Sequence, residues 1–193
     1  MPSRFPTRLA ASVLVVVALA GACGGDDDDD DATAGDDATT TAAAAGDAGT
    51  VTVTAVDYSF EGLPDEVDAG TRVVLENGST RELHEFVAIR IPDSETRPVS
   101  ELVQLPEAEI DALFGSTEPA TVLLAPPGGE MIAAVGDGTL SEPGRYAVVC
   151  FIPTGADPQA YLEAAQSATE GPPDVAGGPP HVANGMFAEL NVT

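Results

Sequence analysis

The chain of 193 residues has no lysine and no tryptophan, and only two histidines and two cysteines. Seven arginines face 32 acidic residues, for a formal charge of −25. So acidic a chain excludes nucleic acid as a partner, because phosphate binding needs a basic surface. Two histidines are too few for a second, catalytic metal cluster, and no proton shuttle or substrate-activating constellation accompanies them. The sequence therefore does not read as an enzyme. Internal repeats are also absent. The longest apolar run, Leu9 to Ala20, is shorter than the roughly 20 residues a membrane-spanning helix requires.

That run is preceded by Arg4 and Arg8 and followed by Gly21, Ala22 and Cys23, the pattern of an export signal over residues 1–22. Leu19-Ala20-Gly21-Ala22-Cys23 resembles the lipobox of bacterial lipoproteins. The resemblance implies cleavage before Cys23, a lipid on its sulfur, and a mature protein held outside the cytoplasm on the cell membrane. Residues 23–49 carry six consecutive aspartates, Asp26 to Asp31, in an Ala/Thr/Gly/Asp mixture without a large apolar side chain. Such a segment buries too little surface to offset its ordering entropy, and its like charges repel, so it reads as an extended spacer. A calcium loop would need a preorganised turn and carbonyl ligands, which the run lacks.

Residues 50–193 have the length of one domain. They hold 23 acidic residues against five arginines, a field that would steer a partner with a basic patch and also favours solubility. Short β-branched runs separated by Gly, Pro and Asn turns predict strands at 51–60, 66–76, 84–91, 120–125, 131–136, 145–151 and 186–192. This is an all-β pattern, a sandwich of about seven or eight strands with two short helical insertions. Near-helical apolar spacing after Pro106 predicts one helix within 99–115. Asp157-Pro158, a cap and a first-turn residue, opens a second over 159–168.

The scarce soft donors fall in a telling order: His84 at a strand start, Cys150 at a strand end, then His181 and Met186 in Pro180-His181-Val182-Ala183-Asn184-Gly185-Met186. Taken singly, each has an ordinary explanation: a satisfied histidine, a small buried hydrophobe, a core methionine. Together they make a thiolate, two imidazoles and a thioether, the donor set of a trigonal copper site with a weak axial ligand. With Cys23 acylated, Cys150 has no disulfide partner, and ligation protects a lone extracytoplasmic thiol. Met131 lies on another strand without such a motif and reads as core.

Three signatures surround these donors. Tyr58-Ser59-Phe60, Ala69-Gly70 and Val73-Val74-Leu75-Glu76-Asn77 lead to His84-Glu85-Phe86. Pro143-Gly144-Arg145-Tyr146 leads through Ala147-Val148-Val149 to Cys150. Pro179-Pro180-His181 and Gly185-Met186 precede a final strand. In this the chain resembles the cupredoxins, small blue-copper proteins such as plastocyanin and halocyanin, over most of residues 50–193. The resemblance implies a Greek-key β-sandwich and one type 1 copper held by His84, Cys150, His181 and Met186. It further implies one-electron transfer, with His181 nearer the surface as the electron port and an extracytoplasmic redox protein as partner. Phe151, Ile152, Val182 and Phe187 are candidates to shield the sulfur. The departure is the spacing, since the family's second histidine follows the cysteine within a few residues, whereas residues 151–180 are here inserted between Cys150 and His181. Copper storage or delivery to an acceptor, a copper-free interaction module, and zinc in place of copper remain open on these residues.

Overall fold

The computed structural model describes residues 49–168 and 171–193. The export segment, Cys23 and the aspartate run lie outside them.

Strict alternation in β1 (Thr50–Val56) sends Val53 and Ala55 inward and leaves the threonines facing out. A two-residue turn at Asp57-Tyr58 joins it to the short antiparallel β2 (Ser59–Glu61). After β3 (Glu66–Val67), β4 (Thr71–Asn77) runs parallel to β1 and lays Val73 and Leu75 beside the same core. Then follow β5 (His84–Arg90), β6 (Thr121–Ala125), β7 (Ile132–Val135), β8 (Thr139–Leu140), β9 (Gly144–Val149) and β10 (Phe187–Val192). One sheet has the order β2-β1-β4-β8 and the other β3-β10-β9-β5-β6-β7. Their inner faces close on a core containing Phe86, Leu123, Tyr146, Val148, Leu190 and Cys150.

This is the expected all-β sandwich, with ten strands where seven or eight were expected. The added ones are fragments. The 51–60 run breaks at the Asp57-Tyr58 turn, the 66–76 run breaks at Gly70, where φ is 90°, and β8 pairs only two residues with β4.

Five consecutive positions of β5 are buried, because its sheet is covered on the outside as well. The 99–115 segment supplies two helices where one was expected, α1 (Val99–Leu102) and α2 (Glu107–Phe114). Pro106 separates them, since proline cannot continue the preceding helix but suits the start of the next. Val99 and Leu102 bury against Ile91 and Ala147, with Phe114 and Phe187 at the margin. In the later insertion, α3 (Pro158–Ala165) starts where its cap residue predicts, the Asp157 carboxylate accepting the Ala160 N–H at 2.8 Å.

Candidate metal centre

Each donor reaches one end of the sandwich by a local device. His84 opens β5 after a loop held by Asn77, whose amide donates to the carbonyls of Glu82 at 2.9 Å and Ala125 at 2.6 Å. An asparagine ending β4 therefore fixes the approach to the histidine and ties it to the end of β6. Cys150 directly follows β9, its N–H donating to the Met186 carbonyl at 3.3 Å. His181 begins a one-turn 3-10 helix, His181–Asn184, which ends at Gly185 with φ of 105°, a left-handed conformation that glycine adopts without strain. That reversal returns Met186 to the sheet, where its N–H donates to the His181 carbonyl at 3.0 Å.

The inserted segment does not separate the donors. Its ends pair like a short antiparallel ladder. His181 N–H donates to Ile152 C=O at 2.9 Å, Val182 N–H to Cys150 C=O at 2.8 Å, Thr154 N–H to Pro179 C=O at 3.1 Å, and Gly178 N–H to Thr154 C=O at 2.8 Å. The Thr154 hydroxyl adds a bond to the Pro179 carbonyl at 2.7 Å and accepts one from the Asn184 amide at 2.9 Å. A closed neck of this kind lets the loop grow beyond it while the residues at its base keep their places.

At the base, one donor atom each from His84, Cys150 and His181 lies within 4.8 Å of the others. His181 Nδ1 is 3.4 Å from Cys150 Sγ, and the imidazole centroids are 5.0 Å apart. All three residues are 0 % exposed. Burial, together with the neighbouring His181, pulls the His84 pKa down to about 4 against the pull of Asp57, and burial lowers that of His181 against Glu82. Both imidazoles are therefore neutral, the form that ligates. Burial, and then the nearby Glu85, holds the Cys150 thiol well above the usual range. Three ring nitrogens, His84 Nδ1 and Nε2 and His181 Nε2, have no hydrogen-bond partner although they are buried. Each such orphan costs about 1–3 kcal/mol, a penalty that coordination at Nδ1 would relieve for His84. A buried thiol beside two neutral imidazoles with unmet nitrogens fits a soft, trigonal metal ion. The donor set is that of a type 1 copper centre.

Met186 is 0 % exposed and its backbone is bonded to both Cys150 and His181. Both His181 and His84 are fully buried, and the half-buried Tyr58 covers His181 edge-on, with centroids 5.2 Å apart. Phe187 does not shield the sulfur, since it packs on the outer cluster with Ala147, whereas Ile152 is in the core with Cys150. Met131 packs against the main core, accepting the Leu75 N–H at 3.2 Å.

Three carboxylates around the type 1 centre escaped the sequence argument. Glu85 is 4 % exposed. Its N–H donates to Cys150 Sγ at 3.4 Å, and its carboxylate accepts the Phe151 N–H at 2.7 Å and the Tyr161 hydroxyl at 3.3 Å. One side chain thus joins the ligand strand, the residue after the cysteine, and α3. Burial pushes its pKa up to about 7, against those two bonds. A lone charge inside the otherwise apolar run of β5 was the available signal. Asp57 and Glu82 approach the outer nitrogens of His84 and His181 at 3.6 and 3.5 Å. In so acidic a chain nothing marked them out.

No family model and no curated protein matches the chain. Among solved structures the chain is similar to auracyanin A, a "blue" copper protein from Chloroflexus aurantiacus, at 14 % identity and a TM-score of 0.38, over 75 % of this chain and 98 % of that one. The dithionite-reduced auracyanin of Roseiflexus castenholzii aligns at 20 % identity and a TM-score of 0.40, over 75 % and 96 %. Auracyanin B aligns at 17 % and 0.35, over 75 % and 88 %. Assignment of the type 1 centre rests on its own donors, not on these distant likenesses.

Proposed function

We propose that the protein is an extracytoplasmic one-electron carrier with a type 1 copper centre, tethered to the cell membrane through a lipidated Cys23. The observation that carries the proposal is the convergence of His84, Cys150 and His181, all fully buried, at one end of a hydrogen-bonded sandwich. His84, Cys150 and His181 would hold the ion, with Met186, whose backbone is bonded to both Cys150 and His181, as a further soft donor. Copper bound there supplies a one-electron couple. The chain's own part is to keep its donors in place in both oxidation states. It does so with the neck at Ile152 and Thr154, the Asn77 bonds, and the Glu85 N–H on the sulfur.

Full burial of the donors favours a carrier over a delivery protein, because metal hand-over proceeds by ligand exchange and needs donors an acceptor can reach. The acidic surface suits a redox partner with a basic patch. Tethering and export are supported by the signal-like residues 1–22 and the cysteine, Cys23, that directly follows them. Among the described residues no helix is long and apolar enough to cross a membrane, and His84, Cys150 and His181 are the one cluster able to hold a metal.

Titration of the reduced protein with Cu(II), followed by visible absorption and EPR with Cys150→Ser as control, tests the centre. One equivalent is expected to give an intense thiolate-to-copper band that the control lacks; its absence from the wild type would overturn the proposal. Reversible voltammetry and fast self-exchange then support the carrier, whereas quantitative loss of copper to an acceptor apoprotein would replace it with delivery.

A further inference from the structure

We infer that Asp57 and Glu82 are positioning residues of the centre, which select the ring nitrogen each histidine turns inward and bias bound copper towards its oxidised state. The second half rests on the copper proposal above; the first stands on the metal-free protein alone.

Each carboxylate meets one ring. Asp57 Oδ1 lies 3.6 Å from His84 Nε2, and Glu82 Oε2 lies 3.5 Å from His181 Nε2. Both nitrogens are buried and have no hydrogen-bond partner, and at these distances the carboxylate oxygen is a group able to accept their proton. A histidine's tautomer is set by what its outer nitrogen meets, and a carboxylate there favours N–H at Nε2. The lone pair is then left on Nδ1, which in His181 already faces Cys150 Sγ at 3.4 Å.

The two carboxylates come from separate segments, the Asp57 side chain 55 % exposed and that of Glu82 17 % exposed. Asp57 sits in the β1–β2 turn, where Tyr58 takes φ of 70°, a left-handed backbone uncommon for so bulky a residue. Tyr58 spends that strained conformation at the site, with its ring packed edge-on against His181. Glu82 Oε2 also accepts the Gly155 N–H at 3.0 Å, so its carboxylate cannot swing freely into solvent. The arginine ion pairs of the described residues involve Asp93, Glu142, Glu95, Glu109 and Glu189, so neither Asp57 nor Glu82 is neutralised by one. Two negative charges against the imidazoles stabilise a doubly charged ion more than a singly charged one.

The test uses the full-length chain, 15N-labelled at histidine. Long-range 1H–15N correlation on the metal-free protein is expected to show both rings protonated at Nε2, with Asp57→Asn and Glu82→Gln each admitting the other tautomer at its own ring. With copper bound, each substitution is expected to weaken Cu(II) binding about tenfold while changing Cu(I) binding much less. That raises the reduction potential by about 59 mV per tenfold difference, with the thiolate-to-copper band retained. Wild-type tautomers and unchanged potentials in both variants would overturn the inference. Because Glu82→Gln also loosens Gly155, a shift in that variant alone, with Asp57→Asn silent, would overturn the shared role. If the wild type gave no thiolate-to-copper band, the copper proposal would fall, and the tautomers would still decide the pairing.

Discussion

Cys150 illustrates how one residue's environment decides its chemistry. Burial and Glu85 hold its proton on, so the metal-free protein keeps a protected thiol and copper must displace one proton. Apparent Cu(II) affinity is therefore expected to rise about tenfold per pH unit between roughly pH 6.5 and 8, above the ordinary imidazole range, from which both histidines are lowered. Competition titrations against a chelator at several pH values check this; a flat profile would mean the thiol is already ionised. Glu85 and His84 act in opposite senses on stability. His84, lowered from 6.5 to about 4, binds its proton in the unfolded chain first, so its contribution is full above pH 6.5 and is lost towards pH 4. Glu85, raised from 4.5 to about 7, keeps its proton longer in the folded protein, so stability is lost as pH rises from 4.5 to 7. Glu85→Gln removes the second effect. In metal-free protein its stability is expected to climb through this window and to exceed the wild type by up to about 3 kcal/mol near pH 7.5, read by urea unfolding at each pH. The convergence of His84, Cys150 and His181 was legible in the sequence because soft donors are so rare in it. The carboxylates around them were not, since their roles depend on which strand end meets which turn.

At the scale of elements, the neck and the helix of the insertion have separable roles. Strand runs were legible because alternation and turn residues are local signals, and α3 began at its predicted cap for the same reason. The neck was not legible: the pairing of Ile152 with His181 and Thr154 with Pro179 is non-local and follows no motif. Asp157→Ala removes the cap of α3 and is expected to cost about 1 kcal/mol, while leaving the thiolate-to-copper band unchanged because the neck still holds His181. Thr154→Val deletes the hydroxyl that bonds Pro179 and Asn184. It is expected to cost a similar amount, about 1 kcal/mol, and in addition to shift the band or its EPR hyperfine splitting. Equal spectra for the two variants would show that the neck does not set the geometry of the site.

For the whole molecule the dominant physical fact is charge of one sign. From Thr50 onward 23 carboxylates face five arginines, and four of those arginines, 72, 90, 97 and 145, are engaged with carboxylates or backbone carbonyls of their own fold. The remaining field points outward and reaches about 30 Å at 0.01 M salt but only about 8 Å at 0.15 M. A cationic partner is therefore gathered from a distance and an anionic one repelled. His181 is buried beneath Tyr58, and Asp57 and Glu82 place negative charge beside the two histidines at that end of the sandwich. Oxidation of the copper-loaded protein by a cationic, substitution-inert complex is expected to slow by roughly an order of magnitude from about 0.01 to 0.15 M salt, and oxidation by an anionic complex to accelerate. Stopped-flow measurement of both series checks this. If the two slopes had the same sign, charge would be irrelevant at the point of electron exit, and the partner would have to be recognised by shape instead.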